Sequence, residues 1–223
     1  MCGRFALVAT GEEVAAHYQL EEVPFVAPRY NIAPTQPVAA VRLDHAGRRQ
    51  FTFFQWGLIP SWSKDPAMGS KLINARAETA AEKPAFRAAF KRRRCLLPAT
   101  GFYEWQAVGG RKQPMHIQSV AGGLVSLAGL WEIWHAPDGG ELETCTILTT
   151  SPNTLMEPIH NRMPVILDPA DYGMWLDPET APDQLNHLLR PFDPARLTAF
   201  PVSTAVNRPQ NDGPECIAPL AEK

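Results

Sequence analysis

The sequence predicts an α+β fold, a single domain built mainly of antiparallel β-strands with short helices at its periphery. Three observations carry this. Proline supplies 22 of the 223 residues, roughly twice the usual share, which opposes long helices and favours short strands and ordered loops. Hydrophobic residues make up 45% and charged residues 20%, enough apolar surface for a substantial core. From residue 95 onward, strand-like runs follow one another, divided by Gly-Gly and Pro-Asp-Gly-Gly turns.

The elements follow in order. Residues 3–9 read as a strand that begins almost at the first residue. Thr10 and Glu13 form a capping box, so residues 12–20 make a short helix. The Pro-rich stretch 24–37 reads as irregular. Residues 38–43 and 49–56 are strands around the turn Asp44-His45-Ala46-Gly47. Residues 78–93 are helical, interrupted by Pro84, which suits the first turn of a second helix. Strands then occupy 101–107, 113–119, 124–134, 142–149 and 163–167. Two short helices, 171–176 and 181–189, precede a last strand at 198–203. No repeat, low-complexity tract or linker divides the chain, so residues 1–223 are expected to form one domain.

Composition excludes several function classes. A net charge of −2 argues against nucleic-acid binding by bulk positive charge, while leaving room for a local basic stripe. Arginine outnumbers lysine 15 to 6, and planar guanidinium groups suit bidentate phosphate contacts; genomic base composition explains the bias equally well. Cys2, Cys95, Cys145 and Cys216 stand 50 or more residues apart with no C-x-x-C pair, so neither a disulfide scaffold nor a zinc ribbon is indicated. The six histidines show no short ligand spacing, and no metal or other cofactor is expected. Phosphate-loop and nucleophile-elbow motifs are absent from the sequence. No run approaches the ~18 apolar residues of a membrane span, and no signal peptide is legible. A soluble, cytoplasmic protein is expected, with no membrane partner.

Cys2 is the most informative residue. Initiator methionine is normally removed before a small second residue, which would leave an α-amine and a thiol on adjacent carbons. Free groups of both kinds titrate close enough to neutral pH to supply reactive forms without tuning. Such a 1,2-aminothiol condenses with an aldehyde, first as an imine and then by ring closure to a thiazolidine. The second attack is intramolecular and gains effective molarity. The alternative is an incidental cysteine, behaving as a small hydrophobe. A strand beginning immediately after it would hold the terminus in place, and Arg4 would favour the thiolate.

Five segments stand in order along the chain: Met1-Cys2-Gly3-Arg4-Phe5, Tyr30-Asn31-Ile32-Ala33-Pro34, Leu72-Ile73-Asn74-Ala75-Arg76-Ala77-Glu78-Thr79, Gly101-Phe102-Tyr103-Glu104-Trp105, and Ile159-His160-Asn161-Arg162-Met163-Pro164. Together with the tail from Val206 to Cys216 they resemble the SOS-response-associated peptidase (SRAP) family, whose members process abasic sites in DNA. The resemblance implies a single β-rich domain that binds single-stranded DNA. It implies that the N-terminal cysteine captures the ring-opened abasic deoxyribose as a thiazolidine DNA–protein crosslink, shielding the lesion. It places Cys2 as the carrier of both nucleophiles, Asn74 beside it and the sugar, and Glu104 and His160 in proton transfer. The partner implied is single-stranded DNA containing abasic sites, the location cytoplasmic and nucleoid-associated when bound, and the default state a monomer.

The residue types suit these tasks independently. Ring opening and loss of water from the carbinolamine need an acid, while freeing the amine needs a base. Glu104 sits between Tyr103 and Trp105, where apolar surroundings would raise its pKa. Taken alone, Glu104 reads more readily as an outward strand residue, His160 equally well as a satisfied buried histidine, and Asn74 as one more turn former.

For DNA contact, Arg4, Arg76 and Arg162 flank the chemical segments and would gather with them; the alternative for each is a surface ion pair. Of two nearby indoles, Trp62 is the candidate for an aromatic wedge against bases flanking the lesion, as the resemblance implies, and Trp56 reads as core. Trp105, Trp131 and Trp134 are assigned to the core. By the same resemblance Thr149, closing its strand, touches a phosphate. The run Lys91-Arg92-Arg93-Arg94 reads as a solvated helix end. Two further function classes stay open: an N-terminal-nucleophile cysteine peptidase that removes its own Met1, in which the amine of Cys2 serves its thiol as base, and a non-covalent single-strand binder.

Overall fold

The computed structural model describes residues 2–220. Met1, whose removal the aminothiol chemistry requires, lies outside them. The strands are β1 (Phe5–Leu7), β2 (Arg29–Ile32), β3 (Pro37–Leu43), β4 (Arg49–Trp56), β5 (Asn74–Arg76), β6 (Arg94–Ala99), β7 (Gly101–Val108), β8 (Arg111–Ser119), β9 (Val125–His135), β10 (Glu141–Thr150), β11 (Met163–Pro164), β12 (Ile166–Leu167) and β13 (Leu197–Pro201). The helices are α1 (Gly11–Tyr18), α2 (Ala77–Ala80), α3 (Arg87–Arg92) and α4 (Tyr172–Leu176).

Five strands form an antiparallel sheet in the order β13-β8-β7-β1-β2. The second sheet runs β11-β10-β4-β3-β6-β9-β12, and β10 also pairs with β9, so β10, β4, β3, β6 and β9 close into a small ring. Within it β10 runs parallel to β4 and to β5, while the other pairings are antiparallel. The predicted α+β class, dominated by antiparallel strands with short helices, is what the structure has. No helix among the described residues is long and apolar enough to cross a membrane.

The sheets meet across an apolar core. Phe5 of β1 packs edge-on against Trp56 of β4, with ring centroids 5.2 Å apart, a geometry worth about 0.5–1.5 kcal/mol beyond area burial. Both rings are buried, and the Trp56 indole N–H donates to the Ile73 carbonyl at 2.8 Å, so the core assignment of Trp56 holds without an orphaned donor. That bond also ties β4 to the chain just before β5. Gly101 is required where β7 begins: a Cβ there would lie 2.4 Å from His116 Nε2.

The capping box is complete, with the Glu13 N–H donating to Thr10 Oγ1 at 3.2 Å and the Thr10 N–H to Glu13 Oε2 at 2.7 Å. The hairpin around Asp44 to Gly47 also forms as read, its glycine at φ 78°. Other expectations are corrected. The first strand starts at Phe5 rather than residue 3; the residues before it are held by side-chain and backbone bonds described below. The stretch 24–37 contains β2, anchored by Asp212 Oδ1, which accepts from the Tyr30 and Asn31 N–H groups. Strands β5 and β6 replace what read as a turn and a connection. The 78–93 segment is two helical pieces, and Pro84 lies in the turn between them, ahead of α3. Residues 163–167 split into two two-residue strands, and the last helix is a 3-10 segment at Pro182–Leu188.

Trp134 is core, but Trp131 is only partly buried, stacked on Phe54. Trp105 also keeps a solvent face, its indole N–H donating to Asn207 Oδ1 at 2.7 Å. The basic run divides: Lys91 and Arg92 are exposed, Arg93 pairs with Glu132 at 2.7 Å, and Arg94 is buried on carbonyls of Trp175, Phe90 and Lys91. Burial lowers the Arg94 guanidinium to about 10.

Candidate active site

Cys2 is fully buried at the N-terminal edge of the five-stranded sheet. The Tyr103 N–H donates to the Arg4 carbonyl at 2.9 Å, laying the first residues alongside β7 and next to Glu104. From the other sheet, β5 brings in Asn74, whose Nδ2 donates to the Cys2 carbonyl at 2.9 Å. Asn74 can reach because β5 pairs with β10, residue 74 opposite Ile147 and Arg76 opposite Thr149. Asn74 Oδ1 is buried and accepts no hydrogen bond from the described residues. His160 arrives on the turn after β10 and sets Nε2 3.8 Å from Glu104 Oε2. The structure thus gathers Cys2, Asn74, Glu104 and His160 at the junction of the two sheets.

Electrostatics separate the two proton carriers. Burial pushes the Glu104 carboxyl up to about 7, with the Lys112 charge opposing. Burial pushes the His160 imidazolium down, Lys112 acting in the same direction and the Arg162 carbonyl against it. Near neutral pH the carboxyl therefore holds a proton more readily than an ordinary carboxylate, while the imidazole is favoured in its neutral form. His160 Nδ1 faces both the Arg162 N–H at 3.0 Å and the Arg162 carbonyl at 3.2 Å. The neutral ring can accept from the first and the protonated ring can donate to the second.

The Cys2 thiol is pushed well above its ordinary value, first by burial and then by the Glu104 charge, with the Arg4 backbone opposing. The expectation that Arg4 favours a thiolate is not met. Its guanidinium points elsewhere, with Nη1 donating to Asn31 Oδ1 at 2.7 Å and to the Val206 carbonyl at 2.6 Å. The Glu104 carboxyl is close enough for its charge to act on this thiol.

The predicted DNA-contacting residues fall into three situations. Arg76 is exposed at the end of β5, its side chain making no hydrogen bond or close ion pair with the described residues while its charge acts on Glu78; Trp62 is 59% exposed. Arg162 is engaged: Glu78 takes its fork through contacts of 2.6 and 2.7 Å, and Nη2 also donates to the Thr149 carbonyl at 2.6 Å. Arg4 is half-buried and committed to Asn31 and Val206. Thr149 is buried, and its Oγ1 faces the Ala75 carbonyl at 3.5 Å; its backbone, not its hydroxyl, meets the arginines.

Two residues with a place in this architecture were not singled out from sequence. Glu78 lies two residues after Arg76 in the same segment, and only the fold shows that it holds Arg162. Asn31 is fully buried, its Nδ2 donating to the carbonyls of Val206, Arg208 and Asn211 at 3.1, 3.1 and 2.7 Å. Asparagine inside an apolar segment was the available signal.

Comparison with known proteins shows the family of the chain. A family model described as SOS response associated peptidase (SRAP) matches residues 1–209. The chain is 44% identical over 224 residues to "Abasic site processing protein YoqW" of Bacillus subtilis (strain 168), covering 97% of this chain and 99% of that one. It is 36% identical over 226 residues to "Abasic site processing protein HMCES" of Xenopus tropicalis, covering 86% of this chain and 66% of that one. Among solved structures, a protein from Bacteroides thetaiotaomicron superposes with a TM-score of 0.89 at 28% identity, covering 99% of this chain and all of that one. With 209 of its 223 residues matched by the family model, the chain belongs to the SOS response associated peptidase (SRAP) family.

Proposed function

We propose that this protein processes abasic sites in single-stranded DNA by covalent capture at Cys2. The observation that carries the reading is the convergence on Cys2 of a hydrogen-bonding amide, Asn74, and a proton-transfer pair whose carboxyl is raised to about 7. Relatives named for abasic-site processing support the substrate class.

In the chain that begins with Met1 the Cys2 nitrogen is an amide and cannot react; removal of Met1 frees it. The amine attacks C1′ of the ring-opened sugar, and the carbinolamine loses its hydroxyl as water once an acid supplies a proton. The Cys2 sulfur then adds to the imine carbon while the thiol proton passes to a base and the imine nitrogen regains one. One water leaves in all, and a thiazolidine remains. Protonated Glu104 is suited to donate and neutral His160 to accept. Asn74 holds the Cys2 carbonyl so that both nucleophiles face the sugar. Arg76, Arg162 and Trp62 would bind the strand, and Arg4 would hold the N-terminal segment.

A thiol peptidase at Cys2 is the second reading, and the family description favours it. The buried, weakly acidic thiol counts against a free thiolate nucleophile.

The test is incubation of Met1-processed protein with single-stranded DNA holding one abasic site, followed by a denaturing gel and intact-mass measurement. A heat-stable adduct is expected whose mass equals protein plus DNA minus one water. Cys2→Ala should abolish it and keep strand affinity. Strand binding with no adduct in the wild type would overturn the reading.

A further inference from the structure

Glu104 and His160 belong to different parts of the fold. Glu104 stands on β7 in the five-stranded sheet, whereas His160 sits on the turn leaving β10 in the other sheet. No single element therefore fixes the 3.8 Å between them. Two residues along β7 from Glu104, Gln106 donates from Nε2 to the Pro158 carbonyl at 3.1 Å. Side chains alternate along a strand, so residues 104 and 106 share a face. Pro158 likewise precedes His160 by two residues. The two contacts are consecutive rungs between the same two segments.

Several other ties of this turn lead elsewhere. Asn153 Nδ2 donates to the Phe192 carbonyl at 2.8 Å, and its Oδ1 accepts from the Met156 N–H at 3.0 Å. The His160 N–H donates to the Met156 carbonyl at 2.8 Å, and the Arg162 N–H to His160 Nδ1 at 3.0 Å. None of these reaches β7. We propose that Gln106 is a positioning residue that sets the distance and orientation of His160 relative to Glu104.

The chemistry of the side chain fits that task. A neutral amide donates to a carbonyl without adding charge beside a pair already influenced by Lys112. A carboxylate at 106 would repel the Pro158 oxygen, and an alkyl chain would leave that oxygen to water. The role in catalysis rests on Glu104 and His160 being the proton-transfer pair of the proposed capture.

Gln106→Met keeps the length and deletes the donor, and Gln106→Ala deletes both. The measurement is the NMR titration of His160 in the full DNA-free chain, together with the pH profile of adduct formation and the affinity for single strands. With the rung gone, the imidazole becomes better hydrated, and its proton affinity should rise about threefold or more in both variants. Adduct formation should slow and its pH profile should move with His160, at unchanged strand affinity. A His160 titration unchanged in both variants overturns the proposal. So does loss of the folded NMR spectrum in both, which would make Gln106 a structural residue. If the wild type forms no adduct, the capture reading fails, yet the His160 titration still decides whether Gln106 positions the ring.

Discussion

Asn74 Nδ2 donates to the carbonyl of Cys2 across 2.9 Å, and the two residues come from different sheets, 72 positions apart in sequence. The contact fixes Cys2 from its carboxyl side, and in the proposed capture its amine and thiol would be left to the substrate. The other end of the same amide, Oδ1, is buried and has no donor among the described residues. A sugar hydroxyl is the kind of donor that would satisfy it.

Asn74→Asp exchanges the donor for an acceptor facing that carbonyl. Losing a buried hydrogen bond costs about 1–3 kcal/mol, so adduct formation should slow about fivefold or more. Single-turnover gels report the rate; an unchanged rate would remove Asn74 from the site.

Glu104 links activity to stability. Its carboxyl is raised in the folded protein, so the fold is favoured where the group is protonated in both states. That advantage is lost as pH rises from the ordinary carboxylate range through about 7. Glu104→Gln should therefore be more stable than wild type at pH 8.5, by up to about 3 kcal/mol, and similar at pH 4. Urea denaturation at both values measures this, and the variant should form adduct slowly at every pH.

Arg76 and Thr149 separate charge from hydroxyl. Arg76 is exposed, so Arg76→Ala should weaken single-strand binding and reduce the log–log salt slope by about 0.7. Thr149→Val deletes a buried hydroxyl facing Ala75 and should leave that slope unchanged. Fluorescence anisotropy across a salt series distinguishes them.

The two indoles should behave oppositely. Trp62→Ala should cost about 1–3 kcal/mol in strand affinity and little stability, because the ring is exposed. Trp56→Ala should cost about 3–5 kcal/mol of stability. Denaturation curves paired with binding isotherms test both.

Local signals in the sequence were read well. The capping box at Thr10 and the hairpin at Asp44 involve neighbours in sequence, and the structure has both. Strand β6 is hard to read from sequence: Pro98 interrupts its apolar run, and a strand proline usually marks an edge or a break. Strand β5 is three residues long and exists only through its pairing with β10, about 70 positions away. The same limit applies to the site. Residue type singles out Cys2, and the five ordered segments of the family resemblance add Asn74, Glu104 and His160, whereas the Glu78–Arg162 pair and the inward hydroxyl of Thr149 depend on strand neighbours. Burial dictates the high pKa of the Cys2 thiol, and the basic residue nearest in sequence did not foretell it.

The bond from Arg4 to the Val206 carbonyl spans 202 positions, and this has a consequence for biosynthesis. At about 5–20 residues per second, a ribosome needs roughly 10–40 s to make the stretch between them. Throughout that interval the nascent N-terminal segment lacks this clasp, although its partners Asn31, Asn74 and Tyr103 are made earlier. On the proposed capture reading, Cys2 would therefore be free for trimming of the initiator before the last tie of its segment can form.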